Sequence, residues 1–302
     1  MNAAHQQAGM TAASGAFLLW GLLPIYWKSL SDVPSFEILG HRMAWSLPFT
    51  IVFLLIFRHR AFSAQLKNKT VLESAIIGSL LLAGNWFVYI WAVNSGYIVE
   101  ASLGYYINPL VSVALGVIFM RERLRSGQIA AIGIAAGGVM YLTFVYGTFP
   151  WIALALALSF GLYGLLHKKI RIGPLESLHF ETLIFFIPAV GFLLYLEISG
   201  RGAFLHASSM TTLVLIGTGL VTTVPLLLFA YAAQNIPLSL LGILQYIAPT
   251  ISLLIGIFLY GEAFPLSRLV GFMLVWSALL IYVIEGAGQR ARQRRMSCRR
   301  GA

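Results

Sequence analysis

The stretch Ser126–His167, SGQIAAIGIAAGGVMYLTFVYGTFPWIALALALSFGLYGLLH, runs for 42 residues without one Asp, Glu, Lys or Arg. A helix needs about 20 mostly apolar residues to cross the roughly 30 Å hydrocarbon layer of a bilayer. This stretch is therefore long enough for two crossings. Its punctuation is Tyr146-Gly147-Thr148-Phe149-Pro150, a turn signal near the midpoint. The segment predicts two spanning helices, about 128–146 and 150–167, joined by a short turn. The apolar residues run continuously instead of alternating with polar ones, which is a helical pattern and not that of a β-barrel.

Working outward, the same reading gives eight more spans, about 11–28, 34–57, 72–93, 99–120, 175–196, 211–232, 238–260 and 267–285. Asn235-Ile236-Pro237 divides the long run from 207 to 261 into two of them. The expected fold is an all-α polytopic membrane protein of ten helices. Composition agrees: of 302 residues, 59% are hydrophobic and 10% charged, and the mean hydropathy is +0.85. A soluble domain carries roughly 25% charged residues, so an ordinary cytosolic enzyme is excluded. The single cysteine, Cys298, excludes a disulfide framework and any zinc or iron–sulfur centre built from several thiolates. Neither a metal nor a cofactor is expected. No Lys or Arg precedes Met10, so no basic region suggests a cleaved signal peptide.

Loop charge sets an expected orientation. With ten spans, both termini and the loops after spans 2, 4, 6 and 8 share one side, and that side holds 16 of the 20 Lys and Arg residues. They include Arg58, Arg60, Arg121, Arg123, Lys168, Lys169 and six arginines after residue 289. The other side holds Lys28, Arg201 and Arg268, and Arg42 lies inside a span. The positive-inside bias makes the basic side cytoplasmic, with both termini in the cytoplasm. The net charge of +10 is thereby explained by topology, and no nucleic-acid partner is expected.

Shifting the chain by 140 residues against itself brings its halves into register. Tyr106-Ile107-Asn108-Pro109 meets Tyr246-Ile247-Ala248-Pro249, and the match continues at Ser112/Ser252, Gly116/Gly256 and Glu122/Glu262. At the same offset Gly21 and Lys28 meet Gly161 and Lys168, and Pro34 and Pro48 meet Pro174 and Pro188. The chain divides into a first five-helix repeat at 10–146, a second at 150–285 and a basic cytoplasmic tail at 286–302. Five is odd, so the second repeat must enter the membrane inverted, an architecture through which alternating access is commonly built.

The segment Glu100–Leu110 (EASLGYYINPL), Glu122, Leu244–Thr250 (LQYIAPT) and Phe160–Gly164 (FGLYG) resemble RarD-type permeases. These belong to the EamA group of the drug/metabolite transporter superfamily. Trp20–Tyr26 (WGLLPIY) and the stretch with Glu37, His41, Arg42, Trp45 and Ser46 are similar to the same family. The resemblance covers about residues 10–285. It implies a ten-helix permease of the bacterial inner membrane. The family's name comes from an association with chloramphenicol sensitivity, which does not identify a natural substrate.

Candidate site residues are those expensive to place in a membrane. Pro109 and Pro249 lack an N–H and are expected mid-span, where they free the carbonyls of Tyr105 and Gln245. They are expected helix kinks facing a shared site. Span 2 holds Glu37, His41 and Arg42, and span 7 holds Glu176, His179 and Glu181. Ionisable groups in spans mark pathways and relays, or else fixed ion pairs. Arg42 could clamp a substrate carboxylate or nitro group, or pair with a glutamate. His41, His179 or Glu181 could accept a coupling proton. Glu37 is near its helix N-terminus, which already favours a carboxylate. Trp20, Tyr89, Tyr105, Tyr106, Gln245 and Tyr246 lie too deep for interface anchors, and in a cavity they and Asn108 could stack on a solute or hydrogen-bond it. Glu122 and Glu262 are expected at helix ends, as caps or gating contacts. Gly133 and Gly137 form a small-residue pair expected to pack a neighbouring helix.

These features favour a secondary transporter that carries a small organic metabolite or drug through the lipid bilayer. No Walker-type phosphate loop occurs, so uphill flux would be driven by a proton or solute gradient. A lipid or lipid-linked-sugar flippase of the same fold is the alternative. An intramembrane enzyme is remote: Asp32 is the only aspartate, and neither H-E-x-x-H nor G-x-S-x-G occurs.

Overall fold

The computed structural model describes residues 3–56, 69–120, 126–146, 149–169, 174–236 and 244–300. Among them the chain is helical throughout, with no strand. In order the helices are α1 (Ala3–Lys28), α2 (Ser35–Ile56), α3 (Lys69–Asn94), α4 (Ile98–Met120) and α5 (Ser126–Tyr146). They continue with α6 (Trp151–Lys169), α7 (Pro174–Ile198), α8 (Ser209–Asn235), α9 (Ile247–Leu254) and α10 (Leu266–Arg300). A π-helical turn, Ile255–Leu259, extends α9. The basic segment after residue 285 continues the backbone of α10 to Arg300.

Among the described residues six helices are each long and apolar enough to cross a membrane, within α1, α2, α3, α5, α7 and α8. The bent pair Ile98–Asn108 and Leu110–Phe119 in α4 makes a seventh if counted as one span. Shorter apolar helices, Trp151–Tyr163, Ile247–Leu259 and Leu266–Tyr282, lie where the remaining spans are expected. Phe144, Ile187, Ile198 and Phe258 are exposed over most of their surface. In water such a girdle of apolar side chains would be an aggregation hazard, whereas lipid solvates it.

The packing pairs α1 with α8 and α9, and α6 with α3 and α4. Helix α2 packs on α7 and α8, α7 on α2 and α3, α4 on α9, and α5 on α10. Exchanging α1–α5 for α6–α10 in order leaves this set of contacts unchanged. Close approaches follow the same exchange. A Cβ on Gly21 of α1 would lie 2.8 Å from Ile251 of α9, and one on Gly161 of α6 would lie 3.3 Å from Val111 of α4. Gly21 and Gly161 are 140 residues apart, as are Val111 and Ile251.

Two sequence expectations take a different form. Helix α4 bends by 42° across position 109, but Pro249 is not mid-helix. A turn at Gln245–Tyr246 precedes α9, so Pro249 stands in the first turn, where a missing N–H costs little. The expected continuous span 238–260 is thus broken, and its residues 238–243 lie outside the described residues. Among the described residues nothing lies within 4 Å of where a Cβ on Gly133 or Gly137 would stand. It is Gly138 that meets α10, with Leu274 at 3.1 Å.

Candidate functional site

Arg42 lies seven residues into α2, about 10 Å along its axis at 1.5 Å per residue. Its side chain is only 4% exposed. The ring centroid of Trp86 (α3) is 3.8 Å from its Cζ and that of Trp27 (α1) is 5.2 Å away. Both rings are within cation–π reach of the guanidinium, Trp86 the nearer. The hydroxyl-bearing rings of Tyr89 (α3) and Tyr105 (α4) are close enough to act on its charge, and they meet edge to face at 5.6 Å.

No carboxylate among the described residues lies within ion-pair distance of Arg42, and its Nε has no acceptor. The glutamate partner that a fixed ion pair would need is absent there. The indole N–H of Trp27 is also buried without an acceptor. Asn85, Tyr105 and Ser252, by contrast, have partners. Asn85 donates to the Leu156 carbonyl at 3.0 Å and to Ser159 Oγ at 2.9 Å. The Tyr105 hydroxyl approaches Asn85 Oδ1 at 3.4 Å, and Ser252 Oγ of α9 donates to the Gly21 carbonyl at 3.2 Å.

The structure brings Arg42, Tyr89 and Tyr105 together and places the other candidates elsewhere. Tyr106 and Tyr246, equivalent by the 140 offset, stack at 6.2 Å. The Tyr106 hydroxyl shares a 2.7 Å hydrogen bond with Thr250, and Trp276 and Phe272 flank its ring. Asn108 is buried with its Oδ1 unpartnered. Gln245 is half-buried in the turn with Tyr246 that precedes α9. Trp20 joins Phe17 and Phe229 in an aromatic group between α1 and α8. His179 Nδ1 bonds Thr50 Oγ1 at 3.0 Å. Glu181 accepts from the Tyr163 hydroxyl at 3.1 Å and lines a small cavity with Met43, Trp86 and Thr182. His41 is buried 3.9 Å from Glu37, with neither ring nitrogen hydrogen-bonded.

Acidic groups at one end of the bundle behave differently. Glu37 Oε1 accepts from the amides of Ala203 at 2.6 Å and Phe204 at 3.3 Å, in the loop between α7 and α8. It therefore serves a distant loop and not only its own helix end. Glu262, after α9, accepts from Ile98 N–H at 2.7 Å and Val99 N–H at 2.8 Å, the first turn of α4. Burial pushes its carboxyl pKa up, and those two bonds pull the other way. Its counterpart Glu122 lies outside the described residues. Glu100 accepts from Ile152 N–H at 3.3 Å in the first turn of α6. Lys28 donates to the last carbonyls of α3, Val93 and Asn94, both at 3.2 Å. These bonds form a polar rim that ties α2 to the α7–α8 loop, α4 to α6 and to the α9–α10 loop, and α1 to α3.

Trp27 was not legible as part of the centre, because a tryptophan in the last turn of a span is the usual signature of an interface anchor. Trp86 carries a signal only through its spacing: it stands three residues before Tyr89, on one helix face.

With this geometry in place, comparison with known proteins adds the following. The model of the EamA-like transporter family matches the chain twice, over residues 7–144 and 149–284. The chain is 45% identical over 290 residues to the uncharacterized transporter YojE of Bacillus subtilis, covering 94% of this chain and 96% of that protein. It is 43% identical over 291 residues to Protein RarD of Streptomyces exfoliatus, covering 96% and 92%. Against Protein RarD of Escherichia coli the identity is 38% over 287 residues, covering 94% and 97%. One solved crystal structure shares the fold at a TM-score of 0.60 and 21% identity, covering 91% of this chain and 97% of that one.

Proposed function

Because the chain belongs to the EamA-like transporter family, we propose that it is a permease moving a small organic solute across the bacterial inner membrane by alternating access. It is a multi-pass helical membrane protein of a transporter family, and solute, mechanism and orientation are what this reading adds. The observation that carries it is the buried guanidinium of Arg42, held among helices of the first repeat with no carboxylate beside it among the described residues.

The two family matches, 7–144 and 149–284, enclose α1–α5 and α6–α10. Five helices in each would invert the second repeat relative to the first. The exchange symmetry of the packing supports that arrangement. In it, α4 and α9 are equivalent helices, one bent at 109 and the other broken before 247. Unwound or bent segments at membrane depth are tolerated where they line a cavity. The solute would meet Arg42, Tyr89 and Tyr105, with Tyr106, Asn108, Gln245 and Tyr246 along the α4–α9 seam. His41, whose ring nitrogens are free of hydrogen bonds, is our candidate for a coupling proton, ahead of His179 and Glu181, which have partners. In this reading both termini are cytoplasmic, which the excess of Lys and Arg on one side of the ten expected spans supports.

The test is flux. Purified protein in liposomes should take up or release members of a panel of small organic acids, amides and aromatics, with flux responding to an imposed pH gradient. Lipid scrambling without solute flux would replace this reading by the flippase one.

A further inference from the structure

Resting on the permease reading, we propose that the Arg42 centre is an anion site, taking the carboxylate of a small organic monoanion along the in-plane N–H edge of the guanidinium.

The argument starts from an imbalance. A buried ion costs several kcal/mol even after relaxation. Cation–π contacts at a desolvated site return about 2 kcal/mol. Trp86 at 3.8 Å and Trp27 at 5.2 Å therefore offset part of the cost of Arg42 and leave the remainder. An arginine carries five N–H donors in a rigid fork. Among the described residues Nε finds no acceptor, and the indole N–H of Trp27, whose ring centroid is 5.2 Å from Cζ, finds none either. Two buried donors and one uncompensated positive charge lack the same thing, a negatively charged acceptor.

The geometry narrows its chemistry. With the Trp86 ring 3.8 Å from Arg42 Cζ, the N–H groups directed away from that ring are what remain for an acceptor, and the guanidinium fork matches a planar carboxylate bidentately. A phosphomonoester would bring a second negative charge, and the described residues show no second cation beside Arg42 to meet it. Lys28 is engaged at the rim with the Val93 and Asn94 carbonyls, and Arg268 donates there to the Ala263 carbonyl at 2.7 Å. A cationic solute would be repelled, and a neutral amide would leave the charge uncompensated. The surrounding rings, Trp27, Trp86, Tyr89 and Tyr105, suit an apolar body behind the carboxylate.

The test uses purified full-length protein in detergent and matched probes: benzoate, phenylacetate, cyclohexanecarboxylate and butyrate, each beside its own carboxamide. Each pair differs little in shape and fully in charge. At least one acid should raise the thermal unfolding midpoint while its amide does not. Arg42→Lys keeps the charge and loses the fork, so the affinity for that acid should fall about thirtyfold or more. Should Arg42→Lys fail to fold, the acid–amide contrast in the unsubstituted protein decides alone. Equal stabilisation by acids and amides, stabilisation by no acid, or undiminished affinity in Arg42→Lys overturns the anion site. Uptake of the same acid into liposomes separates this from the permease reading. Binding without flux would leave the anion site standing and remove transport. Flux indifferent to charge would do the reverse.

Discussion

The rim and the centre of this bundle treat buried charge in opposite ways. At the rim, Glu37, Glu100, Glu262 and Lys28 each reach backbone groups of another element, so charge is spent on joining helices. At the centre, Arg42 reaches rings and no carboxylate among the described residues. A hydrogen bond to a charged group contributes about 1.5–3 kcal/mol, and an unpaired buried charge costs several. The rim is thus built for stability and the centre carries a standing cost. Sites that keep such a cost are commonly sites of function, since stability and activity trade against each other.

The largest expected effect lies at the centre. Arg42→Ala should lower solute flux in liposomes about thirtyfold or more, with the protein still inserted and monodisperse. Normal flux would erase the contrast between the two regions and move the search to the Tyr106–Tyr246 seam.

Next come the contacts that hold the halves together. Gly21→Ala would push a Cβ to 2.8 Å from Ile251, an overpacking that costs about 1–3 kcal/mol. Less folded protein and a lower unfolding midpoint are expected. An unchanged midpoint would show that α1 and α9 can separate freely. Glu262→Ala removes the acceptor of two amides in the first turn of α4, for a loss of about 2 kcal/mol. Its solute affinity should persist if the solute binds at Arg42 as proposed, away from the rim. A fall in affinity equal to that of Arg42→Ala would merge rim and centre into one site.

The smallest effect is expected at Gly133→Ala, where nothing lies within 4 Å of the new methyl group. Alanine is the better helix former by about 1 kcal/mol, so the midpoint should hold or rise slightly. A marked drop would mean that this face of α5 packs against something beyond the described residues.

Much of the fold was legible, and for a physical reason. A run such as Ser126–His167 can be buried only by lipid, and Gly147 and Pro150 leave one place to turn. Arg42 was legible as a candidate because its cost is readable from one residue and its depth. Partners were not. Glu37 bonds amides 166 and 167 residues away, and no local pattern encodes such a pairing. Helix rotation was equally hidden: α5 is apolar on all sides, so nothing in the sequence says that Gly138, not Gly133 or Gly137, faces α10. The break before Pro249 depends on where α9 starts, and the preceding apolar run gives no cap signal.

The most direct measurement is the unfolding midpoint of Arg42→Met against the unsubstituted protein, without solute. Methionine keeps much of the side chain's length and apolar packing and removes the charge. If Arg42 is an unpaired cation kept for a solute, its removal relieves a cost, and the midpoint should stay level or rise. If Arg42 is instead one half of a structural ion pair, Arg42→Met strands a buried carboxylate. The protein should then lose about 3–5 kcal/mol, and a clear drop in the midpoint would contradict this account.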